Sequence, residues 1–234
     1  MSKFLKDLEP GSVYVTISLP QTKEIIGPID PVNRGLSSRP CEVNIATYET
    51  HCAQDLAHEE FDWGLYFHRG VRDGIWYHLT RRNDTQFRSS TRFDLDRRQV
   101  ESSPRLQRNV VGLVRVLHVS QHLCEELAWY MDWLAGESYR TAARSFIWVT
   151  SMYLRTWHHI VRASNTPSLT YGAKFDVNQF LRETLNFAYG DVDYAVGGQL
   201  PRPIIRSIFG TELGISEQDG INDGVSQGHK KAHR

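Results

Sequence analysis

Residues 61–79, FDWGLYFHRGVRDGIWYHL, restrict the fold of this chain more than any other stretch. Trp63, Leu65 and Phe67 alternate with Gly64 and Tyr66, Gly70, Asp73 and Gly74 supply a turn, and a second run closes on Tyr77, His78 and Leu79. A period of two on both sides of a glycine-rich turn predicts an antiparallel hairpin. With the turn centred near residues 69–73, Asp62 and His78 are expected as approximate cross-strand neighbours.

The 234 residues, 40% hydrophobic and 11% aromatic, suffice for one sizeable core, and one domain is the expectation. Lys and Arg (27) balance Asp and Glu (27), so no global field draws the chain to nucleic acid or an anionic membrane. Cys41, Cys52 and Cys124 follow no disulfide or metal-ligand spacing, and the opening MSKFLKDLEPGS lacks an apolar run of signal-peptide length. A reducing, cytoplasmic setting is expected. The apolar stretch 146–161 is interrupted by Thr150, Ser151, Arg155, His158 and His159, which argues against a membrane span.

Along the chain, residues 12–17 alternate as one strand and lead into a turn-rich stretch with Pro20, Pro28, Pro31 and Pro40. Residues 43–48, the hairpin, 86–95 and 110–117 read as strands, rich in β-branched and aromatic side chains. The period then becomes helical. Leu123, Leu127, Met131 and Leu134 mark one helix; Phe146, Val149, Tyr153, Trp157 and Ile160 mark a second, with apolar residues over most of its circumference. Gly136 is the expected break between them, and a third helix is expected over 177–187, ending before Gly190.

The hairpin resembles the HWxLYV…G…xHL pattern of the circularly permuted papain-like superfamily, which includes the NlpC/P60 and lecithin retinol acyltransferase-like proteins. In an uncharacterised fungal branch, a strand of the type LVRVLIG precedes a spacer helix and an NCxxWVxxAL helix that carries the nucleophilic cysteine. Residues 113–118, LVRVLH, and 144–154, RSFIWVTSMYL, are similar to these segments. The resemblance implies an α+β fold, an antiparallel sheet packed against two or three helices. The resemblance covers about residues 43–154; the domain is expected over 41–209, with 1–40 as an N-terminal strand and Pro/Gly-rich loop and the polar, glycine-rich 210–234 as a disordered tail.

On this register the site is altered. Asp62 stands where the family has its first histidine, His78 at the second, Ser145 at the cysteine and Arg144 at the preceding asparagine. Trp63, Trp76, Arg144 and Trp148 are the implied cleft-lining residues. Serine offers no thiolate, so an active site would need His78 as general base and Asp62 to orient it; the resemblance otherwise implies a decayed site. The expected function is that of a catalytically impaired, cytosolic binding or accessory module taking a small molecule or peptide in its former active-site cleft. A serine-variant hydrolase or acyl transferase using Ser145 and His78 is one alternative. An accessory protein of a fungal specialised-metabolite pathway is another.

Other chemistry finds less support. Cys124 lacks the neighbours of the acyltransferase-like nucleophile and is expected as a buried structural thiol. His118, His122 and Glu126 are spaced four apart, but residues 114–119 read as strand, so a shared helical metal face is not expected. Arginines between Arg81 and Arg108 are interleaved with Asp84, Asp94, Asp96 and Glu101, the pattern of a solvated strand face with ion pairs and not of a nucleic-acid surface. No phosphate-cradling glycine loop occurs, and no metal or cofactor is called for.

Overall fold

The alternation of residues 61–79 becomes a hairpin in the computed structural model, which describes residues 3–19, 61–81, 93–101, 103–142, 144–164 and 175–213. Strands β3 (Asp62–Gly70) and β4 (Asp73–Arg81) pair antiparallel, with a bulge between His68 and Gly70. Gly64, and not Asp62, stands opposite His78. The hairpin lies within a seven-stranded sheet with β1 (Lys3–Leu5), β2 (Ser12–Ser18), β5 (Phe93–Val100), β6 (Val110–Val119) and β7 (Ile204–Leu213), ordered β1-β7-β6-β2-β3-β4-β5. All pairs are antiparallel except β6 and β7, which makes the sheet mixed. The α+β class is as expected, whereas the purely antiparallel sheet is corrected. The connection from β6 to β7 carries all three helices, and such a long crossover lets two strands run parallel.

These helices are α1 (Cys124–Ser138), α2 (Ser145–Ala163) and α3 (Val177–Val196). Glu125 and Glu126 occupy the first turn of α1, where their charge favours the helix N-terminus. Asp176 caps α3 by accepting from the backbone N–H groups of Asn178 (2.9 Å) and Gln179 (3.0 Å). Neither expected glycine break holds: Gly136 lies inside α1, and α3 runs through Gly190. An interior glycine costs a helix only about 1 kcal/mol, which burial of Leu185, Ala188 and Ala195 along α3 outweighs. Nor is α2 apolar around its circumference. Ile147, Ser151, Arg155 and His158 form an exposed strip opposite buried Phe146, Val149, Tyr153 and Ile160.

Strand parity divides the core. Trp63, Leu65 and Phe67 of β3 and Ile75, Tyr77 and Leu79 of β4 face the helices in one large cluster. Tyr66 and Trp76 face the other way and meet Tyr14, Val110, Leu113 and Ile204 in a smaller one. Two further expectations change. Strand β2 sits between β3 and β6, so Ser12–Ser18 supply the middle of the sheet and are not a separate addition. Thr211, Glu212 and Leu213 pair with Leu117, His118 and Val119, so residues 210–213 belong to β7 and not to a loose tail. The strands expected over 43–48 and 86–92, like the tail beyond 213, lie outside the described residues.

Candidate functional site

On the face turned away from the helices, β2, β4 and β5 bring Ser18, Trp76, His78, Thr80, Asp96 and Arg98 around a cleft of about 70 Å³. Gln107 and Asn109, in the segment before β6, complete its wall. The cross-strand register dictates this grouping: His78 pairs with Asp96 and Trp76 with Arg98, and Asp62 stands opposite Ser18 on β2. The Trp76 and His78 rings meet edge to face, their centroids 6.5 Å apart.

Gly64 leaves room for the Trp76 indole. A Cβ there would sit 2.8 Å from Thr16 Oγ1, 2.9 Å from Trp76 Nε1 and 2.9 Å from the Tyr77 carbonyl oxygen. Without it, the Trp76 indole N–H crosses β3 and donates to Thr16 Oγ1 at 3.2 Å. Because the carbonyl cannot yield, Gly64→Ala should destabilise by about 1–3 kcal/mol and shift the Trp76 indole N–H resonance. An unmoved resonance and unchanged stability would mean that the indole does not lie across Gly64.

Electrostatically the cleft is nearly self-compensated. Arg98 donates from Nε to Asp96 Oδ1 at 2.7 Å, and its Nη2 lies 2.5 Å from Oδ2, a two-pronged pair. Burial holds the His78 imidazole below its ordinary value; the carboxylates of Asp62 and Asp96 pull it back up, and Arg98 pushes it down. Ser18 is different. Its Oγ is buried and has no hydrogen-bond partner among the described residues, and a buried hydroxyl left unsatisfied costs about 1–3 kcal/mol.

His68 and His118 are also depressed, chiefly by burial. A histidine depressed in the fold binds more protons when unfolded, so its contribution is fully present above the ordinary value of 6.5 and is lost as the pH falls through the folded value. Stability should therefore drop as the pH is lowered from 7.5 to 5.5. In His78→Gln the decline should be shallower by up to about 1.4 kcal/mol per pH unit, the limit for one proton. Urea midpoints at the two pH values read this directly; parallel declines in wild type and variant would count against a buried neutral His78.

The expected triad does not assemble. Asp62 and His78 act on one another across this face, but Ser145 is the first residue of α2, buried on the opposite side of the sheet. Its neighbour Phe146 packs on Trp63, the ring centroids 6.3 Å apart, and Trp63 belongs to the helix-facing cluster. The reason is parity: His78 shares its face with Gly64, and the residues beside them in sequence, Trp63 and Tyr77, point to the helices. Of the implied cleft-lining residues only Trp76 lines this cleft. Trp63 is fully buried, Arg144 sits at the N-cap of α2, and Trp148 lines a separate groove on the helix side.

The sequence reading missed Ser18, Asp96, Arg98, Gln107 and Asn109. Alternation in DLDRR (94–98) would have put Asp96 and Arg98 on one face once β5 was registered against His78; Ser18 carries no sequence signal of its own. Cys124 is a buried thiol whose Sγ lies 3.8 Å from the Ser120 carbonyl oxygen, and burial pushes its pKa up, which disfavours a nucleophilic thiolate. His118, His122 and Glu126 turn to three different partners: Ser12 Oγ (2.8 Å), Ser120 Oγ (2.9 Å) and His159 Nε2 (2.5 Å). Among the described residues no group of three or more His, Cys, Asp or Glu is placed to hold a metal, and no helix is long and apolar enough to cross a membrane. Comparison with protein-family models, with curated proteins and with solved structures gave no match for this chain.

Proposed function

We propose that the chain is a binding or accessory module that holds a small polar molecule in the cleft around His78, and that it does not hydrolyse substrates through Ser145. The observation that carries this reading is the buried hydroxyl of Ser18, without a hydrogen-bond partner among the described residues, beside neutral His78 and the compensated Asp96–Arg98 pair. A ligand with a hydrogen-bonding group would relieve that hydroxyl; a catalytic serine would need a base within about 2.6–3.2 Å. The amides of Gln107 and Asn109 add uncharged donors and acceptors, a mixture suited to orienting a small polar ligand. The papain-like resemblance of the hairpin fits this reading only as a likeness of fold, since its nucleophile position lies across the sheet from His78.

Ligand-observed NMR of the full chain against a library of small polar fragments tests this, followed by His78→Gln and Ser18→Val. Fragments that shift the Trp76 indole and weaken at least tenfold in both variants are the expected result. A fluorophosphonate adduct on Ser145 that disappears in His78→Gln would establish a serine enzyme instead.

A further inference from the structure

On the helix side of the sheet, α1 and α2 lie alongside one another and leave a groove between them. Near the connecting turn, the Trp148 indole N–H donates to Ser138 Oγ at 2.9 Å; at the far end, His159 Nε2 meets Glu126 Oε1 at 2.5 Å. Between these ties the helices enclose about 410 Å³, walled by Trp133, Ile147 and Trp148. That volume lies within the range of about 300–1,000 Å³ typical of small-molecule sites. Trp133 and Ile147 are each 47% exposed, and Trp129, one turn before Trp133, is 60% exposed. An aromatic and aliphatic surface of this kind left to water favours an apolar occupant.

The charges around the groove select the kind of occupant. Arg155 lines it, is exposed, and makes no hydrogen bond or ion pair among the described residues. Glu137, nearer the turn, also lines the groove, and no ion pair joins it to Arg155 among the described residues. Among the described residues, the cation lining the groove is Arg155. An apolar wall ending at an exposed guanidinium matches a tail ending in a carboxylate, which that fork can hold through two parallel hydrogen bonds.

We propose that this groove is a second binding site, for a single-chain amphiphile with an anionic carboxylate head: tail against Trp133, Ile147 and Trp148, head at Arg155. It lies across the sheet from the His78 cleft and does not depend on the function proposed for that cleft. Decanoate and decanol are the probes, titrated below their aggregation limits into the full chain and followed by calorimetry and tryptophan fluorescence. Decanoate should bind at least tenfold tighter than decanol, and Arg155→Gln should remove that preference while leaving decanol unaffected. Ile147→Asp, on the exposed strip of α2, should abolish binding of both while circular dichroism stays unchanged; Ile147→Ser provides the same test should the aspartate perturb the helix. Equal affinity for the two probes, an Arg155→Gln variant that still prefers decanoate, full affinity in the Ile147 variants, or no decanoate binding would each overturn the proposal.

Discussion

Replacing Arg202 with alanine should cost about 3–5 kcal/mol and lower the melting temperature by roughly 6–20 °C. Arg202 is fully buried, and carbonyl oxygens answer its guanidinium. Nη1 donates to Gln199 (2.8 Å) and Tyr194 (3.3 Å), Nη2 to Arg108 (2.6 Å) and Ala195 (3.2 Å), and Nε to Gln107 (3.4 Å). Tyr194 and Ala195 lie in the last turn of α3, whose terminal carbonyls carry the negative end of the helix dipole, so the cation offsets that field where burial would otherwise penalise it. Removing it orphans several acceptors together. It also frees the segment that carries Gln107, a wall of the His78 cleft, so ligand binding there should weaken along with stability. Thermal unfolding checks the first effect; a loss below about 1 kcal/mol would mean that water replaces the guanidinium at little cost.

Trp63→Ala should be of similar size, about 3–5 kcal/mol, the usual cost of emptying a large aromatic site in a core. Trp63 is fully buried, and its ring packs against Phe146 of α2. The measurement also reports on topology. A strand slipped by one residue exchanges its faces, so a cost below about 1 kcal/mol would place Trp63 outside the helix-facing core. Urea denaturation with an unchanged slope would separate a loss of packing from a change in the unfolded state.

The hairpin was legible because one face is buried under helices: Trp63, Leu65 and Phe67 must alternate with smaller or polar neighbours, and glycine and aspartate must turn the chain. The helices were legible in existence but not in extent. Gly136 and Gly190 look like stops, and only tertiary burial of their neighbours explains why the helices continue. The parallel pairing of β6 and β7 left no local trace, since it joins segments on either side of three helices. Part of the site was legible for the same reason as the hairpin: alternation puts Asp62, Trp76 and His78 on one face, although Gly64 and not Asp62 stands opposite His78. Ser145 was assigned by likeness of a short segment, and no local pattern reports which side of a sheet a later helix will cover. Ser18, Gln107 and Asn109 come from distant segments and carry no spacing relative to His78.

Through-space proton contacts of the His78 ring in the full chain report directly whether the sheet separates His78 from Ser145. Cross-peaks from the imidazole to the Trp76 ring, and none to the side chains of Ser145 or Phe146, are the expected result. Cross-peaks to Ser145 would put both residues in one cleft, on the same side of the sheet.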